Sequence, residues 1–201
     1  MFVQVIQGRT DDAAGLRRQF DRWQEEVRPG AQGYLGATFG VTADGEAIGI
    51  ARFESAEAAS RNSDRPEQGA WWNETEKLFS GPVTFHDSSD VDIFLAGGSD
   101  AAGFVQVMQG RVTDVARAKE LEAKANETMP TVRPDVIGSV RARYGDGEFT
   151  EVVYFTSEAE ARAGEAKPMS DEDAAEFADW QDVVKVDRWY DLTEPWFYGP
   201  S

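Results

Sequence analysis

The segment Phe2-Val-Gln-Val-Ile-Gln-Gly-Arg9 returns as Phe104-Val-Gln-Val-Met-Gln-Gly-Arg111, and the spacing of 102 between them holds far downstream. Gly36 meets Gly138, Asp44-Gly45-Glu46 meets Asp146-Gly147-Glu148, Phe53 and Ser55 meet Phe155 and Ser157, and Pro66 meets Pro168. A register kept over that distance is a duplication, so whatever one half folds into, the other folds into as well. With 201 residues, 41% of them hydrophobic, each half has about a hundred residues and would be marginal on its own.

Within the first half, Phe2 to Gly8 alternates apolar and polar residues as a strand does, and Thr10-Asp11-Asp12 supplies a helix cap. Leu16, Phe20, Trp23 and Val27 then recur at helical spacing until Arg28-Pro29-Gly30 stops the helix. Tyr34 to Val41 and Ala47 to Phe53 flank Asp44-Gly45, a pair suited to a tight hairpin turn. Ser55 and Pro66 open two further helical stretches, and Val83 to Asp87 reads as a fourth strand. The second half repeats the order, with strands at Phe104 to Gly110, Val136 to Tyr144, Phe149 to Phe155 and Val183 to Trp189. The grammar is β-α-β-β-α-β twice, which predicts an α+β fold of two tandem ferredoxin-like units: residues 1–95, a small-residue linker at 96–103, and residues 104–201 ending in an aromatic tail. Large residues on both strand faces lead us to expect the two sheets to close an intramolecular pseudo-twofold barrel with helices outside, a monomer doing what a homodimer does elsewhere. The tail Pro195-Trp-Phe-Tyr-Gly199 is too aromatic for water and is expected to dock on the barrel, or else to serve as a dimer contact in a higher oligomer.

Composition removes several function classes. A net charge of −17 argues against nucleic acid and against anionic membrane surfaces as partners. Cysteine is absent, which excludes disulfides, thiolate catalysis and thiolate-bound metals. No run has the length of a membrane span and none reads as a leader, so a soluble, cytoplasmic protein is the expectation.

The run Phe53-Glu-Ser-Ala-Glu-Ala-Ala59, then Arg65-Pro-Glu-Gln-Gly-Ala-Trp-Trp72, then Gly81-Pro-Val-Thr-Phe85 resembles the back half of antibiotic biosynthesis monooxygenase-like domains of the dimeric α+β barrel superfamily. Two tandem copies cover almost the whole chain. The resemblance implies a small-molecule barrel related to cofactor-free monooxygenases that act on aromatic compounds, although the superfamily also holds haem-degrading enzymes, haem peroxidase relatives and isomerases. The haem-degrading members use a histidine on the helix before the final strand and an asparagine on the first strand, whereas the first strands here carry Gln4 and Gln106. Haem is therefore not expected. Metal, flavin and nicotinamide are not expected either, since neither a histidine cluster nor a phosphate-cradling glycine loop is present.

Among candidate site residues, His86 is the single histidine and hence the candidate proton carrier. Strand parity suggests that it faces the barrel interior near Asp187. Gln4 and Gln106 recur on the face shared with large apolar residues, where they either orient a ligand or satisfy backbone and water. Tyr154 and Asp187 join them as candidate ligand contacts. Trp23, Trp71 and Trp72 either shape an aromatic cleft for a planar ligand or divide between core and neighbouring loops, because adjacent tryptophans cannot both face one core. A small apolar or aromatic molecule is the expected partner, and a non-catalytic ligand-binding or interaction barrel is the alternative to an enzyme.

Overall fold

The computed structural model describes residues 1–200. By their contacts these form two compact units, one of residues 1–91 with 194–200 and one of Asp92–Thr193.

The first unit begins with β1 (Phe2–Arg9) and α1 (Ala13–Arg22), which the Asp12 side chain caps by accepting from Gly15 N at 2.7 Å. The helix widens into a π turn at Trp23–Val27 and ends in a tight turn at Arg28–Gly30, where the Arg-Pro-Gly sequence stops it. Then come β2 (Tyr34–Val41) and β3 (Glu46–Phe53), joined through Gly45 at φ +89°, a backbone setting that glycine takes without strain. After them α2 (Ala56–Ser63) starts at the Ser55 cap, α3 (Pro66–Thr75) starts at its proline, and β4 (Thr84–Ser88) closes the repeat. The second unit takes β5 (Asp90–Leu95) as its first strand. It continues with β6 (Phe104–Val112), α4 (Val115–Val132), β7 (Val136–Tyr144), β8 (Glu148–Phe155), α5 (Glu158–Glu165), α6 (Asp171–Val183) and β9 (Val184–Leu192). The last strand, β10 (Trp196–Tyr198), returns to the first unit.

Each sheet therefore has five strands, in the orders β10-β2-β3-β1-β4 and β5-β7-β8-β6-β9. The inner four of each repeat give the ferredoxin-like order, and the tandem α+β arrangement expected from the duplication is present. The fifth strands depart from expectation, because each sheet is completed by a short segment lying after the other repeat's grammar has ended. Ile93 to Leu95 belongs to the second sheet, and the aromatic tail is an edge strand of the first, pairing Trp196 with Phe39 and Tyr198 with Ala37. The tail is thus core material of its own chain.

Helices cover one face of each sheet. In the first unit Phe2, Ile6, Phe39 and Phe53 meet Leu16, Phe20, Trp23 and Trp71, while in the second Phe104, Met108, Phe149 and Phe155 meet Ala118 and Ala161. Burial of rings this size, at about 25 cal/mol per Å² of apolar surface, is the chief stabilising term for units that are each small. The helix-free faces are buried too: Val3 and Val5 are fully buried, as are Val105, Val152 and Tyr154. No helix among the described residues is long and apolar enough to cross a membrane.

Candidate functional site

Between the sheet of the first unit and its helices lies a cavity of about 50 Å³. The sheet side presents Gln4 and Ile6 from β1, Tyr34, Ala37 and Phe39 from β2, and Ala51 and Phe53 from β3. Phe20, Trp23, Asn62, Gln68 and Trp71 form the helix side, and Tyr198 of the tail closes it. Small residues make the room: Ala37 and Ala51 sit on the strands where a larger side chain would fill the space.

The polar groups are held in a chain of bonds. Trp23 Nε1 donates to Gln68 Oε1 at 2.6 Å, and Asn62 Nδ2 donates to the same oxygen at 3.2 Å. Arg65, between α2 and α3, donates to Asn62 Oδ1 and to the Val27 carbonyl, both at 3.0 Å, and so ties the end of the π turn to the cavity's amides. A Cβ on Gly30 would stand 2.2 Å from Arg65 Nη2, so glycine is what lets the guanidinium in. Trp71 Nε1 donates to the Gln19 carbonyl at 2.7 Å, fixing its ring. Gln4 Nε2 donates to Asp87 Oδ1 at 3.0 Å. The amide nitrogen of Gln68 and the amide oxygen of Gln4 take no part in these bonds.

Both tyrosines of the wall are neutral at ordinary pH. Burial pushes the Tyr34 hydroxyl above its usual range, against the opposing pull of Arg52 and Arg28. For Tyr198 burial acts first, and the Asp21 carboxylate it donates to at 2.9 Å raises it further. Tyr34 Oη in turn donates to the Tyr198 carbonyl at 3.0 Å.

The residues singled out from sequence divide across the molecule. Gln4 lines the cavity, with Trp23 and Trp71 opposite it. Trp72 turns away and packs edge-on against Phe85 at 5.3 Å, so the two tryptophans split between core and neighbour. Gln106, the repeat of Gln4, is buried in the second unit, where its Nε2 donates to Asp191 Oδ1 at 2.9 Å. Gln4–Asp87 and Gln106–Asp191 are thus the same bond made twice. His86 pairs with Val5 on the helix-free face of its sheet, half-buried and away from the cavity lining. Tyr154 is fully buried on the corresponding face of the second sheet. The pseudo-symmetric partner expected for His86 needs correcting: across from Val107, the repeat of Val5, stands Tyr190. Asp187 is the extra residue of a bulge, since Gln109 pairs with Arg188 and Gly110 with Val186, and it is exposed.

The second unit fills the place equivalent to the cavity. Where β2 and β3 carry Ala37, Phe39 and Gly49, β7 and β8 carry Ser139, Arg141 and Glu151. Glu151 accepts from Ser139 Oγ at 2.6 Å and from Arg141 Nε at 2.9 Å, and Arg141 also pairs with Glu122 of α4. Burial works against the Arg141 charge, but Glu151 and Glu122 outweigh it and hold the guanidinium above its ordinary range.

Sequence reasoning missed Asn62, Gln68, Tyr34 and Tyr198. Gln68 sits inside the Arg65 to Trp72 run that carries the family resemblance, and the exchange of Phe39 and Gly49 for Arg141 and Glu151 is readable from the repeat. Asn62 offers no comparable signal. Among the described residues no group of three histidines, cysteines or carboxylates could hold a metal ion.

No family model matches the chain, and no curated protein matches it. Solved structures do. A candidate monooxygenase from Lactobacillus acidophilus NCFM superposes with a TM-score of 0.73 at 12% identity, over 100% of this chain and 97% of its own. An anthrone oxidase-like protein gives 0.66 at 10% identity, covering 98% and 93%. A ferredoxin-fold protein related to antibiotic biosynthesis monooxygenases, from Listeria monocytogenes 4b F2365, gives 0.50 at 11%, covering 96% and 95%. The tandem ferredoxin-like fold read from the repeat is that of monooxygenase-like proteins over the full chain. At these identities the likeness is one of fold, and function has to be argued from the site.

Proposed function

We propose that the first unit binds a small planar aromatic compound bearing an oxygen substituent, as a module related by fold to cofactor-free monooxygenases. The observation that carries this reading is the wall itself: seven of its thirteen residues are aromatic, and the polar ones are three amides and two hydroxyls of those aromatics. Rings of a ligand gain offset and edge contacts on such a surface, and the amides of Gln68 and Gln4 on its wall set the ligand's orientation. The cavity's size decides between ligands. About 50 Å³ is several times the roughly 10–15 Å³ a single water needs but about a third of the roughly 150 Å³ that takes up benzene, so a single ring is the upper limit and enters with outward movement of the wall.

Neither a carboxylate nor an imidazole lines the cavity, and both tyrosines are held protonated. Binding is therefore the primary reading. Oxidation by molecular oxygen is the second, for a ligand acidic enough to ionise unaided, with the Gln68 amide stabilising the resulting anion. His86 has no part in either, because it stands on the opposite face of the sheet. Titration calorimetry with resorcinol and with phenol is the test. Affinities on the order of 0.1–1 mM are expected for ligands of so few atoms, weakened about tenfold by Gln68→Leu. Heat signals indistinguishable from dilution for both phenols would overturn the proposal, and oxygen uptake in the same solutions separates the enzyme from the binder.

A further inference from the structure

One wall of this cavity is supplied by the very end of the chain. Tyr198 follows the whole second unit in sequence, yet its ring stacks on Phe20 at 5.9 Å and lines the first unit's cavity. The rest of the wall sits on β1, β2, β3, α1 with its π turn, α2 and α3. Tyr198 alone sits on a three-residue edge strand, which can detach without breaking a helix or a central strand pairing. Pairing with β2 and the buried rings of Trp196 and Tyr198 hold it, together with four side-chain bonds: Tyr198 Oη to Asp21 at 2.9 Å, Tyr34 Oη to the Tyr198 carbonyl at 3.0 Å, Gln24 Nε2 to the Gly199 carbonyl at 3.0 Å and Arg28 Nη1 to the Pro200 carbonyl at 2.9 Å.

We infer that Tyr198 determines the size of aromatic ligand the site accepts: in place it restricts the cavity to a single ring, and with the tail displaced the site takes fused rings. The inference rests on the reading of this cavity as an aromatic-binding site. Removing the Tyr198 ring opens the cavity on the side where Phe20 and Tyr34 already offer flat surfaces. Displacing the tail also takes away the acceptor of the Tyr34 hydroxyl, which then donates to the ligand instead.

The experiment compares the full chain with Tyr198→Ala and Tyr198→Phe, using phenol as the one-ring probe and anthrone as the three-ring probe, followed by quenching of tryptophan fluorescence. Thermal melts report whether each variant is folded, and Tyr198→Leu, which keeps an apolar side chain on the strand, replaces alanine if that variant is not. The expected result is an anthrone affinity at least tenfold higher in Tyr198→Ala or Tyr198→Leu than in the unaltered chain, with Tyr198→Phe keeping the one-ring preference. Equal anthrone affinity with and without the Tyr198 ring overturns the inference while leaving the aromatic-binding reading intact. Failure of both probes to bind any variant overturns that reading, and the inference with it.

Discussion

Tyr34 and Tyr198 keep two hydroxyls out of water by bonding one to the tail and the other to Asp21, and burial raises the pKa of both. A tyrosine whose folded pKa lies above its unfolded value of about 10 contributes stability that is whole below that pH and is lost as pH climbs toward the folded value. The stability of the chain should therefore stay level up to about pH 9 and fall above pH 10, by up to roughly 1.4 kcal/mol per pH unit for each tyrosine. Urea melts at pH 8, 10 and 11 measure this, and Tyr198→Phe should flatten the alkaline fall. Unchanged alkaline sensitivity in that variant would show that the phenol is not held neutral as described. At this scale the sequence was partly legible. Gln4 stood out because a polar residue repeated among apolar neighbours must find a partner, and it did find one in Asp87. Tyr34 and Tyr198 did not stand out, because their roles depend on each other across 164 positions of chain, a separation that periodicity cannot register.

The first two helices of each repeat start at matched caps. Asp12 and Asp114 each cap a helix by accepting from the amide three residues on, and Ser55 and Ser157 do the same for the next helix of each repeat. These local rules were readable because cap, turn and alternation all act within a few residues. Replacing Asp114 by alanine should cost about 1 kcal/mol, measured by urea denaturation, and should speed amide exchange in the first turn of α4. A loss under about 0.3 kcal/mol would mean that the tertiary contacts of α4 hold its start without the cap. The fifth strands escaped the sequence for the opposite reason. Ile93 to Leu95 and Trp196 to Tyr198 are too short to show alternation, and their partners lie far away in sequence, so only the folded sheet defines them as strands.

Across the described residues, the duplication produced two like folds whose equivalent sheet positions carry different side chains. Where Ala37 and Phe39 line the cavity, Ser139 and Arg141 stand at the equivalent positions and bond to the buried Glu151, and removing one partner of such an ion pair typically costs about 3–5 kcal/mol. The second unit is thereby committed to a structural part at that position. Calorimetric titration with resorcinol should accordingly give one ligand per chain. A stoichiometry of two would contradict the assignment of the second unit.

The exchange of edge strands also bears on how the protein is made. In synthesis β1 to β4 emerge before the second unit, yet the first sheet lacks its edge until Trp196–Tyr198 follows that unit. The unit that is synthesised first is therefore finished last. Throughout the synthesis of Asp92–Thr193, Phe20 and Phe39 wait without the Trp196 and Tyr198 rings that will cover them. A nascent chain stalled before residue 194 should carry a first unit open to proteases and chaperones, and only pairing of Trp196–Tyr198 with β2 ends that exposure.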